Sequence, residues 1–70
     1  MNNTQFKEYI EGKLKAVNEQ IRDLKDPTKQ QLEDLKAQQE MLVSAHKIMT
    51  YGTGPERRRF RRDYERRLAR

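Results

Sequence analysis

Eight arginines and no lysine occupy residues 55–70, whereas the first 54 residues use seven lysines and one arginine. The two side chains differ in chemistry more than in charge. The guanidinium is a planar fork that grips a phosphate through two hydrogen bonds, pairs with a guanine edge and stacks on flat rings, while the lysine ammonium is a hydrated point charge. A segment that uses only the fork suits phosphate or base edges. Residues 1–54 carry eight basic and eight acidic side chains and are neutral. Residues 55–70 set eight arginines against Glu56, Asp63 and Glu65, so the whole net charge of +5 sits there. Helix stability does not require such segregation, which reads as a docking surface for an anionic partner.

Within this segment Arg57, Arg58, Arg61, Arg62, Arg66 and Arg67 are the candidate contacts to phosphate or base edges. Phe60, Tyr64 and Leu68 recur at every fourth residue and share one stripe of a helix, where they are expected to orient it or to stack. The composition of residues 56–67 resembles the arginine-rich peptides of small RNA-binding regulators. The resemblance is confined to the tail and names no family.

Other chemistry finds little material. There is one serine (Ser44), one histidine (His46) and no cysteine. Ser44 and His46 lie two residues apart, so on a helix they point in different directions and make no nucleophile–base pair. Carboxylate pairs such as Glu33 and Asp34 are ordinary solvated helix surface. Without thiolates and with a single imidazole, a metal site is not expected. The expectation is a protein with no enzyme activity, no cofactor and no small-molecule substrate.

Two classes of function remain. The first is a small regulatory or architectural binder of DNA or RNA. The second is a small adaptor or inhibitor, of the kind phages and mobile elements encode, whose arginine-rich helix docks on an acidic protein surface. The three interleaved acids and the apolar stripe argue for the second, because an acid pressed against phosphate is unfavourable and such a stripe faces protein. An anionic membrane is disfavoured, since one Phe, one Tyr and one Leu bury little area. No apolar run is long enough to span a bilayer and no signal-peptide pattern opens the chain, so a cytoplasmic location is expected.

Three helical segments must position these residues. Ile10, Leu14, Val17, Ile21 and Leu24 alternate spacings of four and three, the period of a coiled-coil seam, with Phe6 one turn earlier; this predicts a helix over about 4–25. Gly12 lies opposite that seam. Leu35, Leu42 and Met49 repeat at seven over about 27–50, with Leu32, Gln39 and His46 on the alternate seam positions. Gln39 and His46 stand where a purely stabilising seam has Leu or Ile: either they fix register and oligomer state, with His46 open to a pH-switch role, or, the reading preferred, they touch water where the seam frays. Met41, Ala45 and Ile48 widen the apolar face, and Met41, Ile48 and Met49 are expected in the core.

Asp26 and Pro27 read as the cap and first residue of the second helix. Gly52 suits a left-handed helix end, and Thr53 with Glu56 has capping-box spacing for the third helix. Residues 1–51 thus form an antiparallel, coiled-coil-like hairpin, residues 52–55 a linker and residues 56–70 the arginine-rich helix, making the protein all-α. Even with every acid of the tail paired, five arginines stay free, and their repulsion is expected to leave the segment partly disordered until it meets a partner.

Apolar residues make up 33% of the chain and charged residues 39%. Below roughly 70–80 residues one core rarely supplies more than about 3–5 kcal/mol without a staple. With disulfide and metal both lacking, oligomerisation is the remaining staple. A homodimer is expected, pairing two hairpins into a four-helix bundle, with the apolar surplus of the second helix meeting either a second hairpin or the arginine-rich helix.

Overall fold

The computed structural model describes residues 1–69, and Arg70, the last residue of the expected arginine helix, lies outside them. The described chain is all-helical, with α1 at Asn3–Asp23, α2 at Lys29–Tyr51 and α3 at Gly54–Leu68, and no strand among the described residues.

Local capping sets the start of each helix. Asn2 opens α1 through a reciprocal box: its Oδ1 accepts from the Gln5 N–H at 2.8 Å, and the Gln5 Oε1 accepts from the Asn2 N–H at 3.0 Å. Each exchange satisfies a backbone donor that a helix start otherwise leaves orphaned. The same device opens α2, and it corrects the sequence reading. Thr28, not Asp26, is the cap, with Thr28 Oγ1 accepting from the Gln31 N–H at 3.1 Å and Gln31 returning the bond at 3.0 Å. Asp26 instead takes a left-handed conformation (φ 47°) in the turn, which Asp tolerates better than most residues. Thr28 wins because its partner three residues on is Gln31, which satisfies a second donor.

α1 and α2 run antiparallel in constant register. The Gln39 Nε2 donates to the Asn18 Oδ1 at 2.6 Å, and the His46 Nε2 lies 3.6 Å from the Glu11 Oε1. Climbing α1 by seven residues, from Glu11 to Asn18, descends α2 by seven, from His46 to Gln39. Gln39 and His46 are therefore half-buried flanking residues that touch water and also bridge the hairpin.

Full burial occurs only where a third helix closes the seam. Phe6 and Ile10 are completely buried, with Val17, Leu42, Ala45 and Met49 around them. Toward the hairpin tip, Leu24, Leu32 and Leu35 keep the expected seam positions but stay half-exposed, because two helices cover only one side of a side chain. α3 packs across the other end, its Phe60 and Tyr64 against the core. The apolar surplus of α2 is thus met by the arginine-rich helix of the same chain, one of the two coverings the pattern allows. Met41 departs from expectation: it lies at the open edge between α2 and α3 and remains 51% exposed.

The turn into α3 needs a glycine for a reason other than handedness. Gly52 is extended (φ −70°, ψ 161°), not left-handed, and its N–H donates to the Ile48 carbonyl at 2.9 Å. A Cβ on Gly52 would lie 2.5 Å from that carbonyl oxygen, closer than carbon and oxygen tolerate. Thr53 then caps α3, its Oγ1 accepting from the Glu56 N–H at 3.3 Å.

Candidate nucleic-acid interface

The orientation of α3 follows from its two rings. Phe60 lies 6.0 Å from Phe6 between ring centroids, and Tyr64 lies 5.3 Å from Phe6 and 6.2 Å from Tyr9, both in edge-to-face geometry. Such contacts favour a particular ring angle as well as burying area, so they fix the rotation of the helix about its axis. Phe60 and Tyr64 therefore orient α3. Leu68, the third member of the stripe, does not reach the hairpin and is 55% exposed. Burial pushes the Tyr64 hydroxyl above its usual pKa of 10.0, and the adjacent Tyr9 hydroxyl adds to the effect.

Fixing that rotation sorts the arginines. Arg57 and Arg61 fall next to the buried rings and are engaged within the fold. The Arg57 Nη2 donates to the Thr50 carbonyl at 2.9 Å, tying α3 to the end of α2. The Arg61 Nη1 donates to the Met1 carbonyl, and its Nε lies 3.9 Å from the Glu65 Oε1. That same carboxylate oxygen is 3.3 Å from the Met1 ammonium. Glu65 thus pairs with Arg61 one helical turn earlier. Asp63 has no ion-pair partner among the described residues.

Arg58, Arg62, Arg66 and Arg67, four of the six arginines singled out by the sequence, are exposed and make no ion pair among the described residues. Arg59 joins them. At about 100° per residue, Arg59, Arg62 and Arg66 lie roughly opposite Phe60 and Tyr64 and form the crest of the helix. Arg59, which the sequence reading did not single out, was legible in principle, since any residue opposite the apolar stripe faces outward. Pro55, Arg58, Arg59, Arg62, Asp63 and Arg66 line a shallow concavity of about 290 Å³ on this face.

A second groove, of about 340 Å³, runs between α2 and α3. Its walls are Met41 and Ala45 from α2 and Phe60 and Tyr64 from α3; Ser44, Asp63 and Arg67 supply its polar groups. Asp63 borders both hollows, so the groove opens beside the arginine crest.

Among the described residues no cluster of three or more His, Cys, Asp or Glu side chains is placed to hold a metal ion, and no helix is long and apolar enough to cross a membrane. Comparison with protein families, with curated proteins and with solved structures finds no match.

Proposed function

We propose that this chain is a small non-enzymatic nucleic-acid binder of the regulatory or architectural kind, holding phosphates on the outer face of α3. The observation that carries this reading is the sidedness of the helix. Phe60 and Tyr64, the residues that argued for a protein-facing helix, are consumed by packing against Phe6 and Tyr9 within the same chain. What remains exposed is Arg58, Arg59, Arg62 and Arg66 on the outer side of α3 and Arg67 beside the α2–α3 groove, five guanidinium forks on a preformed support. Preorganisation matters because ordering a free arginine-rich peptide would cost part of the binding energy. Arg57 and Arg61 hold the helix in place in this reading, and the phosphate contacts fall chiefly to Arg58, Arg59, Arg62 and Arg66, with Arg67 beside the groove.

The homodimer enters the proposal in reduced form. The α2 face that a second hairpin would cover carries α3 instead, so the phosphate grip does not depend on a second copy. A cytoplasmic setting belongs to the same reading. The adaptor reading keeps two supports, the exposed Leu68 beside Arg67 and the exposed acids Glu56 and Asp63 among the arginines, and becomes an outcome of the test.

That test is a fluorescence-anisotropy titration of labelled duplex DNA and hairpin RNA over a series of salt concentrations. It compares the full chain with Arg59→Gln/Arg62→Gln/Arg66→Gln. On duplex DNA each neutralised phosphate contributes about −0.9 to the slope of log affinity against log salt, so four to five contacts give roughly −4. The triple variant is expected to lose most of that slope. Weak, salt-insensitive binding by the full chain would overturn the reading and direct attention to an acidic protein partner.

A further inference from the structure

We infer that the groove between α2 and α3 receives one unpaired guanine of a nucleic-acid strand whose phosphates lie on the arginine crest, with Asp63 as the residue that reads the base. The inference rests on the nucleic-acid reading and adds a ligand specificity to it.

The starting point is a carboxylate in an unexpected place. Asp63 has Arg59, Arg66 and Arg67 at helix-neighbour spacing, yet pairs with none of them among the described residues. Among the described residues its oxygens take no charged partner, on a surface dominated by arginine. On the crest it would repel phosphate. Asp63 sits at the border of the arginine face toward α2, where it also lines the groove with Ser44 and Arg67. A strand held by Arg59, Arg62 and Arg66 passes beside it, since Asp63 lines the same concavity.

The groove has the character of a base site. Met41, Ala45, Phe60 and Tyr64 give it apolar and aromatic walls, and its volume of about 340 Å³ lies at the small end of ligand-binding clefts. Unstacked bases are held in this manner, between apolar or aromatic side chains with polar groups at one edge.

The polar set selects among bases. An ionised carboxylate only accepts hydrogen bonds. On their pairing edges adenine and cytosine place one amino donor beside a ring-nitrogen acceptor, and uracil or thymine places one N–H between two carbonyls. Each would set a lone pair against one Asp63 oxygen. Guanine alone presents two adjacent donors, N1–H and the N2 amino group, to both oxygens. Its O6, next along the same edge, is an acceptor suited to the Arg67 guanidinium or the Ser44 hydroxyl. In a duplex that edge is occupied by cytosine, so the guanine must come from a loop, a bulge or a single-stranded stretch.

The test uses RNA hairpins identical except for one loop position bearing guanine, inosine, adenine or cytosine, titrated into the full chain at several salt concentrations. Inosine lacks only the N2 amino group. Guanine is expected to bind about tenfold more tightly than adenine or cytosine, with inosine between them. Asp63→Ala should reduce the guanine preference to about twofold or less while leaving the salt slope unchanged. Its helicity, checked by circular dichroism, should match the parent, because Asp63 is exposed and makes no ion pair among the described residues. Equal affinity for all four loops with a steep salt slope would overturn the guanine site and leave the phosphate grip standing. A uniform gain in affinity for Asp63→Ala across all loops would also overturn it, showing the carboxylate to act by repulsion alone. Failure of every hairpin to bind would remove the grip and the base site together.

Discussion

Phe6 near the start of α1 and Tyr64 on α3 meet edge to face, with ring centroids 5.3 Å apart and planes inclined at 65°. Phe6 is wholly buried and also contacts Phe60 and Tyr9, so one side chain is the point on which the arginine-bearing helix is seated. The rotation of α3, and with it the choice of which arginines face solvent, depends on this contact. Docking also answers the repulsion expected to disorder an isolated tail: α3 is helical over Gly54–Leu68 because its apolar face has a partner in the same chain.

Replacing Phe6 by alanine removes that seat. Truncating a buried phenylalanine typically costs about 3–5 kcal/mol, comparable with everything a core of this size supplies. Urea titration of Phe6→Ala should therefore find little or no cooperative transition at 25 °C. Phe60→Ala, half-buried in the parent, should retain a transition at a lower midpoint.

The tyrosine gives the fold an alkaline limit. The folded state holds the Tyr64 proton more tightly than the unfolded chain does, because the phenolate would be desolvated between the helices and would sit beside Tyr9. Stability from this source is complete below the ordinary tyrosine pKa near 10.0 and is lost as pH rises from there through the higher folded value. Thermal melts between pH 9 and about 11.5 should show a fall in Tm that is shallower in Tyr64→Phe, which has no such proton to lose.

Two glycines should respond to alanine in opposite directions. At Gly52 the added Cβ would meet the Ile48 carbonyl oxygen at 2.5 Å, and the α2–α3 turn must shift. A loss of about 1–3 kcal/mol is expected from the urea midpoint. Gly12 lies inside α1 with nothing within 4 Å of an added Cβ, so Gly12→Ala should raise stability by about 0.5–1 kcal/mol through helix propensity.

The arginines should divide by role. Arg57→Gln removes a charged donor from the Thr50 carbonyl and should lower Tm, with a cost on the order of 1–3 kcal/mol. Arg62→Gln, on the exposed crest, should leave Tm unchanged or raise it slightly by relieving like-charge repulsion. Its effect belongs in the salt slope of nucleic-acid binding, reduced by about 0.9 on duplex DNA. Equal thermal losses for the two variants would contradict the assignment of inner and outer arginines.

Much of this protein was legible in local spacing. The heptad alternation of Ile10, Leu14, Val17 and Ile21, the repeat of Leu42 and Met49, and the turn residues around Pro27 and Gly52 specify three helices and a hairpin, because helix period and capping are set by residues within one or two turns of each other. The sidedness of charge was equally plain, since it is a count along the chain. Finer local choices depended on competition between neighbours: Asp26 and Thr28 are both good caps, and only the return bond from Gln31 decides for Thr28.

Tertiary structure decided what no spacing along the chain could. Phe60 and Tyr64 could have turned toward a second copy, a partner or a base; packing against Phe6 and Tyr9 buries them at home, and the physical reason is that a two-helix hairpin leaves one side of its core open. That single long-range contact withdraws Arg57 and Arg61 into the fold and raises Arg59, Arg62 and Arg66 to the crest. It also brings Ser44 of α2 and Asp63 of α3, nineteen residues apart, to the same groove.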